Sequence, residues 1–160
     1  MKVKGKKGEH PLGDAMQLIL LLAFLIIWMG DSFVLHITTF LSESIPLALR
    51  LTVFFAVFIT ALLLVRSAHF VVAHHERPDH VVSTGAFRFV RHPLYLASIL
   101  IYFGLAVFTA SLVSLVVFVA VVTFYDFIAE YEEKLLEEKM GQAYIKYKKR
   151  TGKWLPRIGH

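Results

Sequence analysis

No cysteine occurs in the 160 residues. That excludes a disulfide framework, a thiolate nucleophile and a cysteine-ligated metal, and it leaves the redox compartment unreadable. Charge is also scarce: 18% of residues are charged against 57% hydrophobic, a membrane composition rather than a soluble one. The nucleotide signatures of soluble enzymes are missing, with no GxGxxG after a strand and no GxxxxGK[ST]. There is no repeat of solenoid length and no low-complexity segment. His69, His74, His75 and His80 lie close together near Glu76 and Asp79, but no HExxH or comparable spacing accompanies them. They read as interfacial residues rather than metal ligands. One local absence matters later: no lysine or arginine stands between Arg91 and Lys134.

What is present falls into apolar runs separated by short polar stretches. A basic lead (KVKGKKGEHPLG) precedes a first run from Met16 to about Phe40, interrupted by Asp31 and His36. A signal peptide is the alternative for this region, but no small-x-small cleavage site follows. A second run, about Ile45–Val65, is long enough to cross roughly 30 Å of hydrocarbon. Arg66–His80 is a polar connection. The third and fourth runs, Leu94 to about Phe108 and Leu112 to about Ile128, meet at Thr109-Ala110-Ser111. As one helix they would reach about 50 Å at 1.5 Å per residue, too long for one crossing, so they predict a tight helical hairpin. Beyond it, Tyr131, Leu135, Met140, Tyr144 and Tyr147 recur at helical spacing with charges between them. This predicts an amphipathic continuation, broken near Gly141, and KWLPRIGH reads as a coil.

The expected fold is therefore all-α: a single polytopic membrane unit of about four transmembrane helices with a tight C-terminal hairpin and an amphipathic tail helix. Residues 1–14 form the lead, 16–128 the membrane helices and their connection, and 129–160 the tail. All the lysines and arginines except Arg50 fall in the lead, the central connection or the tail. By the positive-inside rule those three regions share the cytoplasmic face, with both termini and the site there. KYKKR beside a membrane span points to anionic lipid rather than nucleic acid.

The chemistry concentrates in VVSTGAFRFVRHPLY, Val81–Tyr95. Pro93 opens the third run and pins Arg91-His92 at a helix N-terminus, which favours an anionic group such as a ligand carboxylate. The hairpin brings this start near the acidic end of the fourth run. There Asp126, Glu130, Glu133 and Glu137 share one helical face and Glu132 points elsewhere. Glu137 and Glu138 read as a solvated helix end neutralised by tail lysines. Asp126 stands at the membrane edge, where an ionisable group is costly and often functional. Asp31 and His36 read as an interhelical contact or an outer helix end.

Val81-Val82, Gly85, Phe87, Arg91-His92-Pro93 and Tyr95, then a hydrophobic hairpin, then Glu132-Glu133 with Leu136, then Gly141, Tyr144, Tyr147 and Pro156, make a pattern. It resembles the isoprenylcysteine carboxyl methyltransferase family, including its prokaryotic relatives and the related phospholipid methyltransferases. The resemblance implies an integral membrane enzyme that moves a methyl group from S-adenosyl-L-methionine to a lipophilic acceptor, an amine or carboxylate lipid or isoprenoid. It implies that His80, Val81, Val82, Gly85, Phe87, His92, Pro93, Leu94 and Tyr95 hold the cofactor from one side and Glu132 from the other. Arg91, Glu133 and Asp126 are the candidates for catalysis. Phe87 replaces the usual tyrosine. Ile128 stands where the prenylcysteine enzymes carry the arginine for the acceptor carboxylate, which favours an amine or other cationic acceptor, with Asp126 or Glu130 taking the proton. The competing readings are a membrane NADPH-dependent sterol-type reductase and a non-catalytic membrane module.

Overall fold

The computed structural model describes residues 13–74 and 81–157, the side chains of 72–74 excepted. The basic lead up to residue 12, His75 and the expected cofactor contact His80 lie outside the described residues. Six α-helices follow in order: α1 (Gly13–Met29), α2 (Leu41–Ser44), α3 (Leu47–His74), α4 (Pro93–Thr109), α5 (Leu112–Met140) and α6 (Gln142–Arg150). No strand is present among the described residues; a single parallel bridge joins Val90 to Gly152. The fold is all-α. Gly13–Leu35, Leu47–Val71 and Leu112–Met140 are each long and apolar enough to cross a membrane, and Pro93–Thr109 is a shorter apolar helix.

These helices turn apolar side chains outward. Ile26 is 72% exposed, Val34 73% and Val116 69%, a pattern suited to a lipid solvent. The small buried core lies between α1, α4 and α5, where Phe24, Ile99, Tyr102, Ala106, Val121 and Tyr125 meet. Phe24 stands edge-on to Tyr102 at 4.7 Å. α3 and α4 pack closely because Gly104 has no side chain: a Cβ there would meet Val57 Cγ2 at 2.9 Å and Phe54 Cδ2 at 3.3 Å.

The α4–α5 hairpin turns where the sequence places it. Ala110 takes a left-handed conformation (φ 53°) and Ser111 caps α5, its hydroxyl accepting from Ser114 N at 3.2 Å. In a bilayer the unpaired groups at helix ends must find partners inside the protein. Here they do. Leu112 N donates to Thr38 O and Val113 N to Thr38 Oγ1. At the end of α4, Trp28 Nε1 donates to Leu105 O (2.9 Å) and Arg50 Nη1 to Phe108 O (2.7 Å). Arg50, the one cation outside the three basic regions, is thus a helix C-cap.

Asp31 completes this end. A π-helical turn (Gly30–Leu35) extends α1 and closes on His36 at φ 51°. It aims the Asp31 carboxylate at Thr38 N (2.9 Å), Thr38 Oγ1 (2.6 Å) and Ser111 Oγ (2.6 Å). The interhelical contact expected of Asp31 is present. Two boundaries differ from the sequence reading. The first helical run stops at Leu35 rather than near Phe40, and α3 continues past Val65 to His74. Leaving the apolar slab does not end a helix, because its backbone bonds are internal; Arg66, Ser67 and Ala68 simply carry it onward.

Asp31→Ala should lower stability by about 1–3 kcal/mol, since it orphans buried hydroxyls and a backbone N–H. Ala110→Gly should raise it by up to about 1 kcal/mol by relieving the left-handed alanine. Denaturant titration in detergent micelles reads both.

Candidate active site

At the opposite end of the hairpin, four polar side chains distant in sequence converge. Arg91 and His92 precede α4, with Pro93 at its first position, and Glu132 and Glu133 lie on the part of α5 that continues beyond the apolar stretch. Arg91, His92 and Glu133 are all buried. Buried charges persist only when paired and hydrogen-bonded. Glu133 Oε1 accepts from Arg91 Nε (2.8 Å) and contacts His92 Nε2 (3.1 Å), while its Oε2 faces Lys148 Nζ at 2.9 Å. Lys148 also pairs with Glu137 at 2.6 Å, the neutralisation expected of that glutamate.

The remaining guanidinium donors bind the tail. Arg91 Nη1 donates to Lys148 O (3.2 Å) and Thr151 O, and Arg91 N donates to Gly152 O at 2.9 Å. From the tail, Tyr147 Oη donates to Phe87 O at 2.6 Å. Gly141 makes this return possible: it sits between α5 and α6 at φ 55°, a conformation that favours glycine. Gly152 is required for a different reason, since a Cβ would fall 1.8 Å from Leu155 O. The segment from Tyr147 to Gly152 is therefore a strap across the Val81–Tyr95 loop.

Electrostatics match this geometry. Burial works to raise the Glu133 carboxyl pKa, but hydrogen bonds from His92, Arg91 and Lys148 outweigh it and hold the group well below the usual carboxylate range. Hydrogen bonds to Glu137 and Glu133 push the Lys148 ammonium up. Burial, partly offset by Arg91, pushes the Tyr147 phenol to about 12, so it stays a donor at neutral pH.

A second layer faces the membrane side of this knot. Tyr95 Oη donates to Glu132 Oε1, and Glu132 Oε2 lies 3.9 Å from His92 Nδ1. The His92 and Tyr95 rings stack at 5.7 Å with an interplanar angle of 2°. Trp154 approaches His92 at 5.9 Å, and Tyr125 approaches Tyr95 at 5.3 Å. Asp126 does not stand open: its carboxylate accepts from Lys153 Nζ (2.5 Å) and Trp154 Nε1 (2.9 Å), with Glu130 at 3.8 Å from the same lysine.

The structure thus gathers Arg91, His92, Pro93, Tyr95, Glu132 and Glu133, with Asp126 one step away through Trp154. Pro93 is buried and Leu94 is exposed. Phe87 is tied in by its carbonyl. Val81 and Val82 are half-buried in the extended approach to the loop. Gly85 lies against α3, where a Cβ would meet Val71 Cγ2 at 2.8 Å. Ile128 is buried in helix packing. Sequence reasoning missed Lys148, Thr151, Gly152, Lys153 and Trp154. Thr151 and Gly152 act through backbone carbonyls, which carry no side-chain signal. Lys153-Trp154, a cation and an indole beside a membrane span, was the one available clue.

Arg91→Lys keeps the charge but loses the forked contacts to the strap. Trypsin should then cut within 146–153 about tenfold faster than in wild type, as the open population rises. Gly152→Ala should do the same. The Glu133 contribution is full above the ordinary carboxylate pKa of about 4.3 and is lost only as pH falls through its depressed native value. Wild-type strap protection should therefore not decline through Glu133 titration between pH 7 and 5, whereas Glu133→Gln should be cut faster throughout that range.

Comparison with known proteins gives an independent view of the same region. No curated protein matches the chain. The family model described as phospholipid methyltransferase matches residues 47–143, from the start of α3 through the Arg91-His92-Pro93 loop and the hairpin to the beginning of α6. The match spans more than half of the 160 residues. It covers both sides of the Arg91–His92–Glu132–Glu133 cluster. With three membrane-length apolar helices around that cluster, this chain belongs to the phospholipid methyltransferase family, as an integral membrane protein.

Proposed function

We propose that the protein is an S-adenosyl-L-methionine-dependent methyltransferase acting on a lipophilic acceptor at the membrane edge. The observation that carries this reading is the convergence of His92, Tyr95 and Glu132 at the base of a hairpin whose outer surface faces lipid. The donor set fits the cofactor's chemistry. Glu132 offers a carboxylate for an ammonium. The rings of His92, Tyr95 and Trp154 offer faces for a sulfonium. The first turn of α4, opened by Pro93, offers N–H groups and a positive dipole end for a carboxylate.

When bound, S-adenosyl-L-methionine supplies an electrophilic methyl group. The chain's own work is positional. Glu132, His92, Pro93, Leu94 and Tyr95 bind from the two arms of the hairpin, and Val81, Val82, Gly85 and Phe87 line the approach. His80 belongs to the same assignment by resemblance. Arg91 and Glu133 hold these arms and the strap in register, so that alignment rather than acid–base chemistry supplies most of the acceleration. Residues 129–160 cover the site on the cytoplasmic face, which the distribution of basic residues assigns to both termini. Asp126, exchanging Lys153 for a cationic acceptor, would take a proton released there. The exposed part of that ion pair makes the exchange inexpensive.

Calorimetric titration of detergent-purified protein with S-adenosylhomocysteine should show micromolar binding, and NADPH none. His92→Ala and Glu132→Gln should weaken that binding at least about tenfold. NADPH binding alone would assign the protein to the reductases, and binding of neither by folded protein would leave a non-catalytic module. In methylation assays, Asp126→Asn should lower turnover of amine lipids, and Ile128→Arg should shift preference toward carboxylate lipids. Unchanged preference in both variants would refute the acceptor assignment.

A further inference from the structure

A second feature lies on the far side of the Val81–Tyr95 loop, away from the strap. The Thr84–Gly85 turn folds back onto α3, where Ala86 N donates to Ser67 Oγ at 2.9 Å. Gly85, at φ 59°, fits so closely against Val71 and Ser67 that any side chain would collide. Beside this contact lies a half-open cavity of about 590 Å³, walled by Leu63, Phe70 and Val71, with Thr84, Gly85 and Arg66 at its rim. The wall is apolar, and Leu63 and Phe70 are 60% and 64% exposed.

Among the described residues, Arg66 is the only charge in this lining. No acidic side chain pairs with it among the described residues. Its depth follows from helix packing. Gly104 of α4 faces Phe54 and Val57 of the antiparallel α3. Stepping from Gly104 back to Pro93, and equally far forward along α3, reaches positions 65 and 68 at the same rise per residue. Arg66 therefore stands level with the start of α4, in the last turns of the apolar span Leu47–Val71 and at the membrane edge. A guanidinium there is placed to meet an anionic headgroup.

We infer that this cavity is a binding site for one membrane phospholipid with a net anionic headgroup, its phosphate on Arg66 and an acyl chain along Leu63 and Phe70. The headgroup is anionic rather than zwitterionic because the described lining offers a cation and no carboxylate for an ammonium. The cavity shares Gly85 with the approach assigned above but none of Arg91, His92, Tyr95, Glu132 and Glu133, and it stands whether or not that assignment holds.

The test is native mass spectrometry of the full chain in mild detergent, equilibrated with equal amounts of phosphatidylglycerol and phosphatidylcholine of matched chains. One phosphatidylglycerol should be retained in preference to phosphatidylcholine. Retention should fall about tenfold in Arg66→Gln, which loses a charge-assisted contact. It should not fall in Arg88→Gln, an exposed cation on the same loop. Leu63→Trp, which keeps the cation and fills the apolar wall, should also lower retention, and serves if Arg66→Gln does not fold. Equal retention of the two lipids overturns the inference. So does wild-type retention in Arg66→Gln or Leu63→Trp, or an equal loss in Arg88→Gln.

Discussion

The ion pair between Arg91 and Glu133 is the contact on which the site end of the molecule depends. It joins the start of α4 to the extension of α5, and Arg91 fixes the strap from Lys148 to Gly152 through Nη1 and its main-chain N–H. A buried pair of this kind contributes little net stability by itself, because desolvation consumes most of the attraction. Its value lies in directionality. A planar guanidinium with fixed donors determines where three chain segments sit relative to one another, and an apolar replacement would not.

That arrangement explains how an enzyme-like cluster can exist with so few polar residues. The hairpin arms deliver His92 and Tyr95 from one side and Glu132 from the other, and the apolar surface around them is left to lipid. Where a soluble fold would wrap such a site in further layers, this chain uses a short tail. Asp126, Lys153 and Trp154 extend the cluster toward the membrane edge, so charge is present next to hydrocarbon only in paired form.

Much of this was legible in the residues. The hairpin turn at Thr109-Ala110-Ser111 followed from length alone, and the break at Gly141 from glycine within a helical pattern. Arg91, His92, Glu132 and Glu133 could be placed together because a hairpin brings the start of its first arm beside the later part of its second. The strap could not be read. Its contacts are backbone carbonyls from Thr151 and Gly152, which any residue could offer, made possible by a glycine whose necessity shows only in the clash with Leu155 O. The continuation of α3 was missed because hydropathy marks the membrane boundary and not the helix boundary. The partner of Asp126 was missed for a related reason: its own helix offers no cation within one turn on either side, whereas Lys153 arrives from 27 residues away.

The two ends of the hairpin differ in how deeply their polar contacts are enclosed. At the turn, Ser111 and Ser114 are fully buried, and Asp31, Ser32 and Thr109 are buried with them. At the open end, the strap that Arg91 holds is flanked by the exposed Lys149, Arg150 and Leu155. An opening that exposes little buried surface costs less than global unfolding. The protein is thus mechanically polarised: amide protons near the turn should exchange only with global unfolding, while those near Gly152 exchange through a smaller, reversible opening. Traffic between the membrane and the cluster would pass through the end that opens.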